Sequence, residues 1–408
     1  MFMQINVADI KFQSKSKKAP EFDWISFILI IVAIGIIIAA VYFIFYFKES
    51  KILQIIEKGE NISGIIVENN GERTDAVFLS FYNPKTEKLA FIMIPGNTRL
   101  KVEYEKAPEY DTVSNMYKKG NALVVKNTME KLTGHKFTFY MVYGLKTVES
   151  FIDLLEGVYV NMEKSIDYID VKNSTFIRIP SGENLLDGAK VKELLMYQYG
   201  ENGLKAKLEN HRIVAESILD RKRDVIELSE NNAVVRLLMK QVDTNLSKKD
   251  IKVLVSRINK LNSSRLLFYK MFGRSMKIKG TVYLLPINNG GWLTDRIKEL
   301  NKFLNDEGPA PIGDDIKIEI LNGSSNPGQA QNLRNYFIKY GFNVVHFGNA
   351  LRNDYEKTVV IDRVGKPILA KRIADIINCK EVYTKIDKSL LVDITIIIGN
   401  DFEGRYVR

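Results

Sequence analysis

Between Asp23 and Lys48 lies a run from Trp24 to Phe47 without a single charge, and its centre reads FILIIVAIGIIIAAVYFIF. At about 1.5 Å per residue it makes a helix roughly 36 Å long, enough to cross the hydrocarbon core of a bilayer with some tilt. Trp24 at one end and Tyr42 and Tyr46 at the other are rings of the kind that settle at membrane interfaces. A buried core helix and a cleaved signal peptide are the competing readings. A signal peptide has a shorter apolar region and a small-residue cleavage site, whereas this run continues through Tyr42-Phe43-Ile44-Phe45 past the Ala39-Ala40 pair. An uncleaved anchor is therefore expected. Lys11, Lys15, Lys17 and Lys18 precede it, against Lys48, Lys51 and Lys58 after it. This weak positive bias places a short tail in the cytoplasm and the large C-terminal part outside the membrane.

A chain of 408 residues has room for two or three domains. With 46% hydrophobic residues it can bury real cores, which excludes a disordered chain. A single cysteine, Cys379, excludes an internal disulfide framework and a thiolate zinc site; it reads as a small buried helix residue. Three scattered histidines, His135, His211 and His346, do not make a multi-histidine metal centre. Chemistry is left to carboxylates, Arg, Lys and oxygen ligands. The net charge of +10 suits anionic headgroups, acidic glycopolymers or nucleic acid. No helix-turn-helix, zinc-finger or RNA-binding signature accompanies it, so nucleic acid is not expected as a partner.

Residues 1–23 read as a polar tail and 48–64 as an amphipathic stalk. From 65 to 305 strand-like and helical stretches alternate. Residues 65–82 read as two strands around Asn69-Asn70-Gly71, and Lys88–Pro95 (KLAFIMIP) as a strand buried on both faces. Helices are expected over 121–133, 146–156, 185–199, 211–226, 231–241, 247–260 and 291–304. The alternation predicts an α/β sandwich with helices covering a central mixed sheet. Residues 306–315, with two Pro and two Gly among acids, read as a linker. Residues 316–402 read as β-α-β-β-α-β, a small ferredoxin-like domain, followed by a tail at 403–408.

Several stretches resemble one bacterial family. They are Thr74-Asp75 entering a strand, Ile94-Pro95-Gly96-Asn97-Thr98-Arg99-Leu100, Leu186-Asp187-Gly188 and Asp243-Thr244-Asn245-Leu246-Ser247. These resemble the LytR-CpsA-Psr (LCP) family of envelope enzymes, which move polyprenyl-pyrophosphate-linked glycopolymers onto peptidoglycan or another acceptor. Glu319–Ser324, Pro327-Gly328, Gly341–Val345, Gly348-Asn349-Ala350 and Asp393–Gly399 resemble the LytR C-terminal domain that often follows. The resemblance implies that Asp75 and Arg99 are catalytic, that Arg99, His211 and Arg212 bind phosphate, and that Asp75 and Asn97 hold Mg²⁺. The polymer-bearing lipid, the membrane and peptidoglycan or another envelope glycopolymer are the implied partners.

The departures are specific. The family signature Ile-Pro-Arg-Asp-Thr-Arg stands here as Ile94-Pro95-Gly96-Asn97-Thr98-Arg99. Gly96 replaces a pyrophosphate-binding Arg, and Asn97 replaces a metal-binding Asp. The family's Tyr-Val-Arg-x-Arg run is here Tyr197-Gln198-Tyr199-Gly200-Glu201, without Arg. Each missing charge-assisted hydrogen bond removes about 1.5–3 kcal/mol. The bland readings are a strand-start acid for Asp75, a surface strand-end base for Arg99, a turn cap for Asn97 and an exposed helical pair for His211-Arg212. Two functions are expected ahead of a membrane-tethered nucleic-acid-binding regulator. One is a degenerate, weakly active or inactive envelope protein that binds polyprenyl-phosphate-linked or wall glycans. The other is an active Mg²⁺-dependent phosphotransferase.

Overall fold

The computed structural model describes residues 50–71, 74–104, 108–171, 175–197, 203–310 and 316–404. The expected tail (1–23) and membrane helix (24–47), Tyr199, residues 311–315 of the expected linker and residues 405–408 lie outside them. Among the described residues no helix is long and apolar enough to cross a membrane.

Helix α1 (Lys51–Glu57) precedes three strands, β1 (Ile62–Asn69), β2 (Thr74–Asn83) and β3 (Lys88–Pro95). A hairpin of β4 (Arg99–Glu103) and β5 (Pro108–Thr112) leads into α2 (Val113–Thr133), then β6 (Phe139–Tyr143) and α3 (Leu145–Leu154). A lobe follows, with β7 (Val158–Met162), β8 (Ile166–Asp170), β9 (Thr175–Ile179), β10 (Gly182–Leu186) and α4 (Gly188–Met196). Next come α5 (Gly203–Asp220), α6 (Lys222–Glu230), α7 (Asn232–Met239), β11 (Asp243–Thr244) and α8 (Lys248–Arg257). The unit closes with β12 (Leu266–Lys270), the hairpin β13 (Gly273–Ile278) and β14 (Thr281–Pro286), and α9 (Gly291–Asn305).

The central sheet has the order β11-β6-β1-β2-β3-β12. It is mixed: β1 is antiparallel to β2 and parallel to β6, and β12 is parallel to β3. The continuous apolar run of β3 is explained by burial on both faces. Ala90, Ile92 and Ile94 pack with α2 and α9, while Met93 packs with Ala76 and Phe78 on the other face. Helices α1, α5 and α8 cover that second face. The α/β sandwich expectation holds in this architecture, but the expected stalk does not. Ser50 Oγ donates to Asp250 at 2.6 Å, Ile52 is buried, and the chain enters the sheet at Ile62. The apolar residues of 52–67 are thus core, not the face of a free stalk.

The C-terminal unit comprises β15 (Lys317–Asn322), α10 (Gln329–Lys339), β16 (Asn343–Asn349), β17 (Val359–Asp362), α11 (Pro367–Ile376), β18 (Glu381–Thr384) and β19 (Ile394–Ile398). Its order is β16-β15-β19-β17-β18, with β15 parallel to both β16 and β19, β17 parallel to β18, and β17 antiparallel to β19. This corrects the ferredoxin-like expectation. Each β-α-β crossover returns its strand beside the one it left, and the short strand β18, half of it exposed, carries too little apolar signal to be seen in sequence. Helix α11 seats this domain against the turn at 263–265, where Ser263 Oγ bonds Asp375 and Ala310 N donates to Ser264 O at 2.7 Å.

Candidate functional site

Strand β1 carries no charged side chain until Glu68, and Glu68 is fully buried. A lone buried carboxylate is costly, so its partners define the site. Lys207 Nζ donates to Glu68 Oε1 at 2.8 Å, His211 Nε2 lies 2.6 Å from Oε2, and the Tyr143 hydroxyl donates to Oε2 at 3.2 Å. Two spacings bring these groups together. Glu68 pairs with Tyr143 across the parallel β1–β6 ladder, and Lys207 and His211 stand four residues apart on one face of α5. His211 Nδ1 also faces the Lys207 carbonyl at 2.7 Å. Each ring nitrogen therefore has an oxygen within hydrogen-bond distance. The Phe78 ring packs 5.1 Å from it.

Burial alone pushes the Glu68 carboxyl up. The charge and hydrogen bond of His211, then those of Lys207, outweigh it and hold the pKa at about 2. Burial first, then the charge and hydrogen bond of Glu68 and the charge of Asp75, push the Tyr143 phenol well above its usual range. The site is therefore an ionised acid ringed by Lys207, the His211 imidazole and a neutral phenol.

Asp75 lies beside this cluster. Glu68 pairs with Ala76 and Asn69 with Thr74, so Asp75 is the extra residue of a β-bulge. Its carboxylate accepts a hydrogen bond from the Asn70 side chain. The loop after β3 is knotted onto the same backbone: Gly96 N donates to Asp75 O at 2.9 Å, and Ser114 Oγ to Thr74 O at 2.5 Å. A Cβ at Gly96 would stand 2.2 Å from Thr74 O and 2.6 Å from Ser114 Oγ. No side chain fits at position 96 in this arrangement, so the family's arginine is excluded by packing as well as absent from the sequence.

Asn97 Nδ2 donates to Val282 O at 3.1 Å. Its Oδ1 is buried without a partner among the described residues, as are the hydroxyls of Thr74 and Thr98. Asp75 and Asn97 thus offer oxygen donors of the kind Mg²⁺ takes. No group of three acidic, His or Cys side chains that could hold a metal occurs among the described residues. Asp75 would give a Mg²⁺ one carboxylate ligand and Asn97 a neutral one, with phosphate oxygens and water supplying the rest of its octahedral shell.

The other two expected site residues point elsewhere. Arg99 lies 5.9 Å from the ring centres of both Tyr110 and Tyr283, in a cleft between the β4–β5 hairpin, α2 and β14. Arg212, next to His211, turns to Glu216 at 2.7 Å and to Glu209 on its own helix. Those two carboxylates hold its guanidinium pKa above its usual range against burial, and its charge bears on Arg372 of α11. The sequence therefore yields Asp75 and His211 near one centre, while Arg99 and Arg212 face different partners. Glu68, Lys207 and Tyr143 make up the rest of that centre. The lone acid closing an apolar strand and the four-residue Lys207–His211 spacing were the signals available for finding it.

Two turns beyond His211 on the same helix face, Ile218 lines an apolar cavity of about 290 Å³. That separation is roughly 10 Å along α5. Met141 of β6, Phe151, Val225, Leu238 and Val255 line it too. A charged cluster and an apolar cavity thus share one helix face and one strand.

Comparison with known proteins gives this arrangement a context. Residues 59–291 match the LytR_cpsA_psr family model, and residues 315–402 match the model described as LytR cell envelope-related transcriptional attenuator. An uncharacterized protein of Staphylococcus aureus is 18% identical over 215 residues, covering 52% of each chain, so the chain spans about half the length of the curated relative it matches. Bacillus subtilis TagV superposes with a TM-score of 0.51 at 16% identity, covering 60% of this chain and 98% of TagV. The gbs0355 protein of Streptococcus agalactiae gives a TM-score of 0.51 at 17% identity, covering 63% of this chain and 92% of that one. With more than half its length matched by the family model, the chain belongs to the LytR_cpsA_psr family and carries a LytR C-terminal domain behind the family fold.

Proposed function

We propose that this protein is a membrane-anchored, extracytoplasmic cell-envelope protein that binds a polyprenyl-phosphate-linked or wall-glycan ligand and transfers it weakly or not at all. The observation that carries the reading is Glu68. Binding a pyrophosphate without a P-loop needs a cluster of uncommitted Arg and Lys. Here the two basic side chains at the sheet end, Lys207 and His211, already share one internal carboxylate, which weakens their hold on a phosphate without abolishing it. Gly96 leaves no room for the arginine that would add to them. An amphiphile still finds complementary surfaces, with the apolar cavity for a hydrocarbon tail and the His211–Lys207 end of α5 for an anionic head. The charge-free run at 24–47 supplies the expected anchor.

The alternative, an active phosphotransferase, is favoured by Asp75 and by the unpartnered Asn97 Oδ1. Mg²⁺ held there would neutralise charge developing on a leaving phosphate. Asp75 would contribute the carboxylate ligand, and Asn97 a neutral one. Full-length protein in detergent, incubated with Mg²⁺ and a polyprenyl pyrophosphate, separates the readings by mass spectrometry of bound lipid and an assay of released phosphate. Retained lipid without release above background is the expected result. Release that disappears in Asp75→Ala would establish the enzyme instead, and neither retention nor release would refute both.

A further inference from the structure

Only Lys48 and Glu49 separate Ser50 from Phe47, the last residue of the charge-free run. Three steps of chain span at most about 11 Å, so whatever holds the run keeps Ser50 close to it. Ser50 is itself fixed to the fold: its Oγ donates to Asp250 Oδ1 at 2.6 Å, and Ile52 N donates to the same oxygen at 3.2 Å. These bonds bring the first turns of α1 and α8 together, and the corner they make is basic. Lys51 opens α1, and Lys248, Lys249 and Lys252 stand in the first two turns of α8. Over residues 50–54 and 247–252 the single acid is Asp250, which is buried and uses its other oxygen for the Ser247 cap. Lys51, Lys248 and Lys249 are exposed, and Lys252 keeps a long contact of 3.9 Å with Glu230. At 100° per residue the three lysines of α8 cover about 100° of its circumference. The adjoining stripe of the same helix, Ile251 and Val255, lines the apolar cavity.

We propose, resting on the anchored reading above, that this corner docks on the anionic lipid headgroups of the membrane that holds the run. Lysine clusters beside a membrane anchor are drawn to anionic lipid, each charge adding to the attraction. Four lysines would hold a free domain on a bilayer only weakly. Tethered by three steps of chain, the same contact forms at a high effective concentration and needs little affinity of its own. The anchor then sets how far the domain stands from the membrane, and the lysines set which side of it faces the lipid. Because the basic and cavity-lining stripes adjoin on α8, the seating turns the cavity toward the layer from which a lipid-linked ligand comes.

Full-length protein in nanodiscs tests it, with phosphatidylcholine alone in one set and equal parts phosphatidylcholine and phosphatidylglycerol in the other. Acetic anhydride, an uncharged reagent, labels exposed lysines, and mass spectrometry gives the rate at each. Lys51, Lys248 and Lys249 are expected to react at least five times more slowly in the anionic discs than in the neutral ones. Lys298, exposed on α9 across the sheet, is expected to react equally in both. Sodium chloride at 0.5 M should remove the difference, because screening then acts within a few ångströms. Lys248→Glu combined with Lys249→Glu should leave the melting temperature unchanged, since both positions are exposed, and should abolish the protection of Lys51. Equal rates at these lysines in the two sets of discs overturn the proposal, as does equal slowing at Lys298 or protection of Lys51 that survives the double variant. A chain that neither set of discs retains refutes the anchor and the docking together, whereas a retained chain with unprotected lysines refutes the docking alone.

Discussion

Replacing Glu68 by Gln tests the central electrostatic argument. Glutamine keeps the shape of the side chain and removes the charge, leaving Lys207 and His211 with 6% and 9% of their side chains exposed and no counterion. Breaking a buried ion pair from one side costs about 3–5 kcal/mol. The titration of Glu68 gives an independent figure. A fall from 4.5 to about 2, at 1.36 kcal/mol per pH unit, corresponds to about 3 kcal/mol of stability. The carboxyl is more acidic in the folded chain than in the unfolded one, so this contribution is complete above pH 4.5. It drains away as the pH falls and is gone below about 2.

Urea unfolding of the wild type and of Glu68→Gln, followed by the fluorescence of Trp292 in α9, measures the difference directly. At pH 7 the variant is expected to be less stable by about 3 kcal/mol, and the gap is expected to close steadily between pH 4.5 and pH 2. Subtracting the two curves removes acids common to both, including Glu130, which is also held at about 2 against burial by Lys126, Phe137 N and Lys136. The same variant frees Lys207 and His211 from their carboxylate, so inorganic phosphate at 100 times its dissociation constant for the variant should restore about 2.7 kcal/mol to it and less to the wild type. A variant as stable as the wild type at pH 7, or a gap of the same size at pH 2.5, would refute the reasoning.

Three further outcomes are expected. Gly96→Ala pushes a methyl against the Thr74 carbonyl and Ser114 Oγ, neither of which can retreat without breaking the knot, and should cost about 2–3 kcal/mol by urea midpoint. Asp250→Ala removes the acceptor for Ser50 Oγ and Ile52 N and half of the capping box of α8; limited proteolysis should then cut within residues 51–57 well before the wild type is cut. Leu238→Trp fills the apolar cavity and should lower polyprenyl retention at least tenfold, with Tyr283→Ala as a control that leaves retention unchanged.

How much of this was legible in the sequence depended on range. Strand β3 could be located from Lys88–Pro95 alone because burial on both faces makes composition a sufficient signal. The turn at Asn69-Asn70-Gly71 is equally local, with Gly71 at φ 83°. Strand β12 and the β13–β14 hairpin went unread. The hairpin alternates exposed polar with half-buried residues, and β12 is a strand only because β3 offers it a parallel edge. The ferredoxin-like reading failed for a related reason. Crossover order does not follow from element order, and it decides which strands become neighbours. At the site, a motif could be aligned residue by residue, but side-chain direction could not. Arg212 follows His211 in the chain and yet faces Glu216, because a single step along a helix turns the side chain by about 100°.

On the proposed reading, Gly96 and Glu68 act in the same direction. A ring of arginines around an empty pyrophosphate site repels itself, and such a site gains its stability only when ligand arrives. This chain has no arginine at 96 and no room for one, and it places a permanent anion between the cations that remain. The apo protein then gains stability without ligand, because the basic groups at the sheet end share a carboxylate within the fold itself. The corollary is a weaker hold on phosphate, since an incoming anion must displace a carboxylate that already makes three hydrogen bonds. Restoring an arginine at 96 would therefore not restore tight binding. It would add a buried cation that clashes with Thr74 and leave Glu68 in place, so Glu68 is the residue to change first.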